Sequence, residues 1–149
     1  MLKSPALPAT VVLLGAAVAC STGRHSSAGF RLPADGDVER GKAAFVALNC
    51  HTCHEVPGLD LPRPTVEPAV PVILGRELTH ELTDGYLVTS IINPSYKFAP
   101  YPRNLITSGG QSRMPHYADR ITVRQITDIV AFLQSRFTVR PLARAMPYS

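Results

Sequence analysis

The five residues from Cys50 to His54 constrain this chain more than any other feature of its sequence. Cys50 and Cys53 are three positions apart, and His54 directly follows the second cysteine. On a helical turn this spacing puts both sulfurs at one edge of a porphyrin, where they can add across its two vinyl groups, and the adjacent imidazole can bind the iron. The motif predicts one covalent c-type haem, with Cys50 and Cys53 as thioether attachments and His54 as proximal iron ligand.

Two other kinds of site use closely spaced cysteines. A thioredoxin-like redox centre needs a strand before the motif and a βαβ context. A structural zinc site needs two further Cys or His at a regular spacing downstream. The sequence offers neither pattern, so haem attachment is the favoured interpretation.

The second iron ligand is predicted to be Met114. Haem iron in c-type proteins is usually bound from the far side by Met or by a second His. Met114 follows the flexible pair Gly109-Gly110 in a loop, and Pro115 fixes the chain just past the sulfur. One further Met before a proline and two histidines remain open as alternatives: Met146, His116 and His80.

Helix signals occur on both sides of the motif. Asp37 can cap a helix over residues 37–49 that carries Gly41 and Phe45 on one face and runs into the cysteines. Residues 83–92 indicate a second helix, stopped by Asn93-Pro94. Residues 122–125 form a capping box that opens an apolar closing helix. Prolines crowd residues 56–71 and recur in 93–108, which predicts extended loops there.

The N-terminus is predicted to be an export signal. Ala6 to Ala19 form an apolar run too short to span a bilayer. The run ends at Ala17-Val18-Ala19-Cys20, which resembles a bacterial lipobox. Residues 1–19 are then a lipoprotein-type signal peptide, Cys20 a lipidation site and residues 20–36 a tether. Ordinary cleavage after Ala19, leaving Cys20 as an odd thiol, is the alternative. We expect an exported protein, lipid-anchored to a bacterial membrane and facing the periplasm or the cell exterior.

The charge of the chain argues against nucleic acid as a partner. The formal net charge is only +4, and no basic stripe stands in an aromatic or helix-turn-helix context. Late arginines are either a solvated helix face or a docking patch for an acidic protein. They are Arg113, Arg120, Arg124, Arg136, Arg140 and Arg144.

Residues 37–137 resemble a class I, monohaem cytochrome c domain. The resemblance implies an all-α, cytochrome c-like fold in which three main helices pack around one covalently bound haem, with long Pro-rich loops. It also implies that Gly41 of the first helix packs against Phe132 of the last. In that family a backbone carbonyl of a downstream proline accepts a hydrogen bond from the proximal histidine, which indicates Pro71 or, nearly as well, Pro68. Residues 138–149 are a tail without a family counterpart.

The predicted binding of the haem iron by His54 on one side and Met114 on the other indicates the function. A haem bound on both sides by the protein has no open position for a small-molecule substrate and passes single electrons instead. We expect an electron-transfer protein without catalytic residues, working between a redox protein donor and acceptor as a shuttle or as the cytochrome subunit of a membrane-associated oxidoreductase. The alternative is a gas sensor or peroxidase-like enzyme with a labile sixth ligand.

Overall fold

The structure, a computed structural model, describes residues 30–140. Cys20, Met146 and Arg144 lie outside the described residues. Four helices and one 3₁₀ turn form the frame: α1 Val38–Ala47, the turn Cys50–Thr52, α2 Asp84–Ile92, α3 Arg103–Ile106 and α4 Val123–Gln134. The three long helices match the predicted ones, and α3 is a single additional turn. None of the described helices is long and apolar enough to cross a membrane.

Each long helix begins at the residue that the sequence indicates. The Asp37 side chain accepts a hydrogen bond from the Arg40 backbone N–H, and the Thr83 hydroxyl accepts one from Tyr86. Thr122–Gln125 forms the predicted capping box, with both reciprocal bonds present. These contacts satisfy N–H groups that a helix leaves without an internal partner.

The core lies where α1 crosses α4. Gly41 and Phe45 are the buried residues of α1, and the Phe45 and Phe132 rings lie 5.5 Å apart at 58°. A Cβ built on Gly41 would lie 2.7 Å from the Phe132 Cβ, closer than real Cβ atoms approach. The predicted packing of Gly41 against Phe132 is therefore confirmed, and it depends on the missing side chain.

Three pairs of two-residue strands link the loops to this frame. The pairs are β1 His54–Glu55 with β2 Val72–Ile73 and β3 Glu77–Leu78 with β6 Thr138–Val139, both parallel, and β4 Thr107–Ser108 with β5 Gln111–Ser112, antiparallel. They leave the fold mostly helical. The predicted all-α, cytochrome c-like class is compatible with this architecture.

The loop before Met114 is a tight hairpin rather than a flexible stretch. Gly109 and Gly110, between β4 and β5, have φ of 57° and 80°. A two-residue turn of the I′ type needs positive φ at both positions, which glycine supplies without steric cost. Met114 thus follows a turn of fixed shape.

Two segments differ from the expected layout. Residues 56–71 form a loop as predicted, but 93–108 contain α3 and β4, because Leu105 donates a hydrogen bond to the Pro102 carbonyl and starts a helical turn. The ordered chain also continues past residue 137, since β6 pairs with β3 and Arg140 donates its N–H to Leu78 at 2.9 Å.

Candidate functional site

The cysteines and the histidine of the motif lie on a compact turn at the end of α1. Asn49 has a φ of 59°, in the left-handed region, and ends the helix there. The chain then forms the 3₁₀ turn, in which Cys53 donates its N–H to the Cys50 carbonyl at 3.2 Å, and His54 opens β1. Both cysteines are free thiols; Cys50 is half-buried and Cys53 exposed. The thiols are therefore available for covalent attachment.

His54 faces the interior in a state suited to metal binding. Its Nδ1 is buried and has no hydrogen-bond partner, and its ring lies 6.4 Å from that of Phe45. Burial lowers the pKa of His54, while a polar contact with the Val72 backbone, outside hydrogen-bond geometry, acts in the opposite direction. The neutral imidazole favoured by burial is the form that binds iron. Two free thiols and a desolvated neutral imidazole fit a c-type haem.

A cleft of about 290 Å³ lies beside the motif. Cys53 and His54 line it on one side, and the loop of residues 56–71 lines it on the other, with Pro68 and Pro71 among its residues. Both candidate prolines therefore line the same cleft as the histidine. A hydrogen bond from the His54 Nδ1–H to the Pro71 carbonyl stays a prediction, because Nδ1 of that histidine is without a partner here.

The candidate distal ligand lies outside this cleft. Met114 is half-buried, packs against the same hydrophobic core as Cys50, and donates its N–H to the Ser112 hydroxyl at 3.1 Å. His80 and His116, the histidine alternatives, are both exposed. Met114 packs against the core but is not among the residues that line the cleft at His54. Its role as an iron ligand therefore stays a prediction.

The sequence did not indicate the polar contacts of Tyr117, Asp128 and Arg40, of which the first lies beside the motif. Tyr117 is buried, and its hydroxyl donates to the Leu48 carbonyl at 2.9 Å. Asp128 is buried on α4 and accepts hydrogen bonds from the Arg40 guanidinium at 2.9 and 3.1 Å. Asp128 interrupts the apolar stripe of α4, and a carboxylate at a buried position needs a cationic or hydrogen-bonding partner. This feature of the sequence could have indicated such a partner.

Two of the late arginines form ion pairs within the domain, a role that the sequence did not predict. Arg124 pairs with Asp35 at 2.9 Å, and Arg140 pairs with Glu77 at 3.2 Å, so both serve the fold. Arg113 and Arg120 are exposed. Among residues 30–140, no group of three or more His, Cys, Asp or Glu side chains could hold a metal ion.

Comparison with known proteins gives one finding. Residues 36–133, well over half of the chain, match the model of a family described as cytochrome c oxidase, cbb3-type, subunit III. Neither the curated proteins nor the solved structures include a significant match. The matched region spans the motif, the Met114 segment and almost all of α4. The chain therefore belongs to this family of c-type cytochrome domains, whose covalently attached haem c serves electron transfer.

Proposed function

We propose that this protein is a single-electron carrier with one haem c, bound through Cys50 and Cys53 and ligated by His54 and Met114, in an extracytoplasmic electron-transport chain. The observation that carries the proposal is the Cys50–His54 motif, ordered at the end of α1 within a domain that matches a cytochrome family. When bound, haem c supplies a one-electron iron couple.

Once haem is attached, the motif residues would hold it in place and set its surroundings, and none of them would act on a substrate. Cys50 and Cys53 would fix the porphyrin edge, and His54 would hold the proximal axial position. Contact with Phe45 keeps the imidazole in an apolar setting and away from water. Such burial also limits the solvent reorganisation that accompanies a change of iron charge. These are the requirements of an electron carrier rather than of an enzyme that binds substrate at iron.

Met114 is the distal ligand in this proposal. Its support is the fixed hairpin before it, the backbone bond to Ser112, and the exposure of His80 and His116. A thioether ligand favours ferrous iron and raises the reduction potential. Met114→Ala should therefore lower the potential and remove the weak long-wavelength absorption of a Met–iron bond, whereas His116→Ala and Met146→Ala should leave both unchanged. An unchanged potential in Met114→Ala would reject this ligand.

The alternative function is a gas sensor or peroxidase-like enzyme with a labile or vacant sixth position. The observation that favours it is that Met114 is not among the residues lining the cleft at His54. The visible spectrum of the purified full-length holoprotein decides between the two. A low-spin ferric spectrum that is unaffected by low cyanide concentrations supports the carrier; a high-spin spectrum that cyanide changes supports the alternative.

The setting of the carrier is also a proposal. We infer an exported protein held at a membrane by lipid on Cys20, acting as a shuttle or as the cytochrome subunit of a larger oxidoreductase, a role that the subunit III description of the family supports. Purification in mild detergent should show whether it arrives alone or with an enzyme. Cys20→Ser should release the protein from the membrane fraction, and persistence there would reject the anchor.

The segment that carries Met114 indicates the chemistry of the redox partner. Residues 85–118 contain no Asp or Glu and carry Lys97, Arg103 and Arg113, all exposed. Arg103 is held over the Phe98 ring at 3.8 Å, and the neighbouring Tyr96 is 75% exposed. A cationic surface with an exposed aromatic is complementary to an acidic protein.

A further inference from the structure

One hydrogen bond connects the two segments that carry the proposed iron ligands. Tyr117, three residues after Met114, donates its hydroxyl hydrogen to the Leu48 carbonyl at 2.9 Å, across 69 positions of sequence. Leu48 caps the C-terminal end of α1, two residues before Cys50. The Tyr117 side chain is only 7% exposed, so its position is fixed by packing as well as by this bond.

The bond lies at the point where the backbone turns toward the haem motif. The last carbonyls of a helix have no partner within the helix. At Leu48 the Tyr117 hydroxyl supplies that partner, and Asn49 then reverses the chain with its φ of 59°. The direction in which the chain leaves α1, and hence the place of the Cys50 sulfur, depends on this turn.

Tyr117 also lies beside the Cys50 thiol. Both side chains pack against the same hydrophobic core. Burial raises the pKa of Cys50 to about 11, with the Tyr117 hydroxyl acting in the opposite direction, and burial together with the neighbouring Cys50 raises the pKa of Tyr117 to about 12. At neutral pH both groups therefore keep their protons, and the phenol stays a hydrogen-bond donor. Cys53 differs from Cys50 because it is exposed.

We propose that Tyr117 is a positioning residue for covalent haem attachment at Cys50. The inference rests on the proposed attachment through both cysteines. In that step the Cys50 sulfur forms a bond to one carbon of a vinyl group, the thiol hydrogen passes to the other carbon, and nothing leaves, so no oxidant or reductant is consumed. Tyr117 exchanges no proton; it fixes where the sulfur lies. Its loss should therefore affect the Cys50 thioether and spare the one at Cys53.

The test is Tyr117→Phe in the full chain, produced in a host that attaches haem c. The substitution keeps the ring and removes only the hydroxyl. Intact mass gives total covalent haem, peptide mapping locates each thioether, and the absorption of the reduced pyridine complex separates one thioether from two. We expect the fraction of protein attached through Cys53 alone to rise several-fold over wild type. Tyr96→Phe, at an exposed tyrosine, should leave that fraction at the wild-type level.

A second variant, Cys50→Ala, distinguishes a role of Tyr117 in positioning Cys50 from a role in folding the domain. Cys50→Ala can attach haem only through Cys53, so adding Tyr117→Phe to it should cause no further loss of covalent haem. A further loss there would assign Tyr117 to folding and overturn the proposal, as would complete two-point attachment in Tyr117→Phe. If the wild-type chain itself carries no covalent haem, the proposed function fails first, and that result is recognised without any variant.

Discussion

Gly41 of α1 lies in direct contact with the backbone and side chains of α4, and a Cβ at this position would be 2.7 Å from the Phe132 Cβ. The same hypothetical atom would overlap the Asp128 carbonyl oxygen. The close crossing lets Phe45 reach Phe132 on one side and His54 on the other, at 5.5 and 6.4 Å between ring centroids. The position of His54, the proposed proximal ligand, therefore depends on a helix crossing that only glycine permits.

Gly41→Ala should destabilise the domain. The added methyl group forces the helices apart in a closely packed core, which costs about 1–3 kcal/mol for typical overpacking. Thermal or denaturant unfolding of the holoprotein measures the change. Ala43→Ser, at an exposed position of the same helix, is the control and should change stability by less than about 0.5 kcal/mol. Equal stability of Gly41→Ala and wild type would contradict the close crossing.

Asp128 predicts an acid-sensitive contribution to stability. The hydrogen bonds from Arg40 lower the pKa of Asp128 below its ordinary value of 3.8, against the effect of burial. A carboxylate with a depressed folded-state pKa stabilises the fold above its unfolded pKa, and this stabilisation is lost as pH falls toward the folded value.

The corresponding test compares Asp128→Asn with wild type over a range of pH. Wild type should be the more stable at pH 7, and the difference should shrink below about pH 4, where the wild-type carboxyl takes up a proton. Asp119→Asn, at an exposed aspartate, should show no comparable difference. A stability gap that is independent of pH down to pH 2 would show that the charge of Asp128 is not what matters.

Thr122 makes a smaller contribution that the sequence already indicates. Its hydroxyl accepts the Gln125 N–H, and the Gln125 side chain bonds back to the Thr122 N–H at 2.9 Å. Thr122→Ala removes one half of this capping box and should cost about 1 kcal/mol. Unfolding midpoints give the value, with Thr65→Ala in the exposed loop as a control. If Thr122→Ala lowers the free energy of unfolding no more than Thr65→Ala does, water replaces the hydrogen bonds of the cap.

Local features were predictable from the sequence, and distant polar contacts were not. The motif, the helix caps and the Gly41–Phe132 contact follow from short-range spacing or from family resemblance. The bond from Tyr117 to Leu48 joins residues 69 positions apart, and that from Asp37 to Asp128 spans 91. No periodicity in the sequence specifies such a pair.

The strand pairs were missed for a different reason. Each of the six strands within residues 30–140 has two residues, which is too short to show the alternation that identifies a strand. The pairing of β3 with β6 therefore gives no signal in the sequence, and its residues Thr138–Val139 fall in the predicted tail. Their order comes from bonds to a segment about sixty positions earlier in the chain.

Arg140→Pro tests whether this pairing belongs to the domain. Proline removes the N–H that donates to Leu78, and a single net hydrogen bond is worth about 1 kcal/mol. Arg140→Gln removes only the exposed ion pair with Glu77 and should cost less. Val139→Pro should also be mild, because alternate N–H groups of a strand point away from the paired neighbour. Hydrogen exchange and unfolding midpoints measure the effects, and three equal costs would reject the pairing.

The cationic segment around Met114 should affect the rates at which the protein exchanges electrons with charged reagents. Lys97 and Arg113 are exposed in a stretch without acidic residues, so it should attract anions during encounter. The Lys97→Glu/Arg113→Glu variant should react more slowly with ferricyanide, by about tenfold at low ionic strength, and faster with a tripositive cobalt complex. Both effects should fade at high salt, where the Debye length is about 3 Å. Stopped-flow oxidation of the reduced protein gives the rates.

The control for this prediction is a variant with the same change in net charge elsewhere. Arg31→Glu/Arg76→Glu places it on two exposed positions that belong neither to the Met114 segment nor to the lining of the cleft at His54. If electrons enter near the Met114 segment, this pair should change the rates much less than Lys97→Glu/Arg113→Glu, because a distant charge is screened by the intervening solvent. Equal effects of the two pairs would mean that only the total charge matters, and the Met114 segment would lose its assignment as the partner-facing surface.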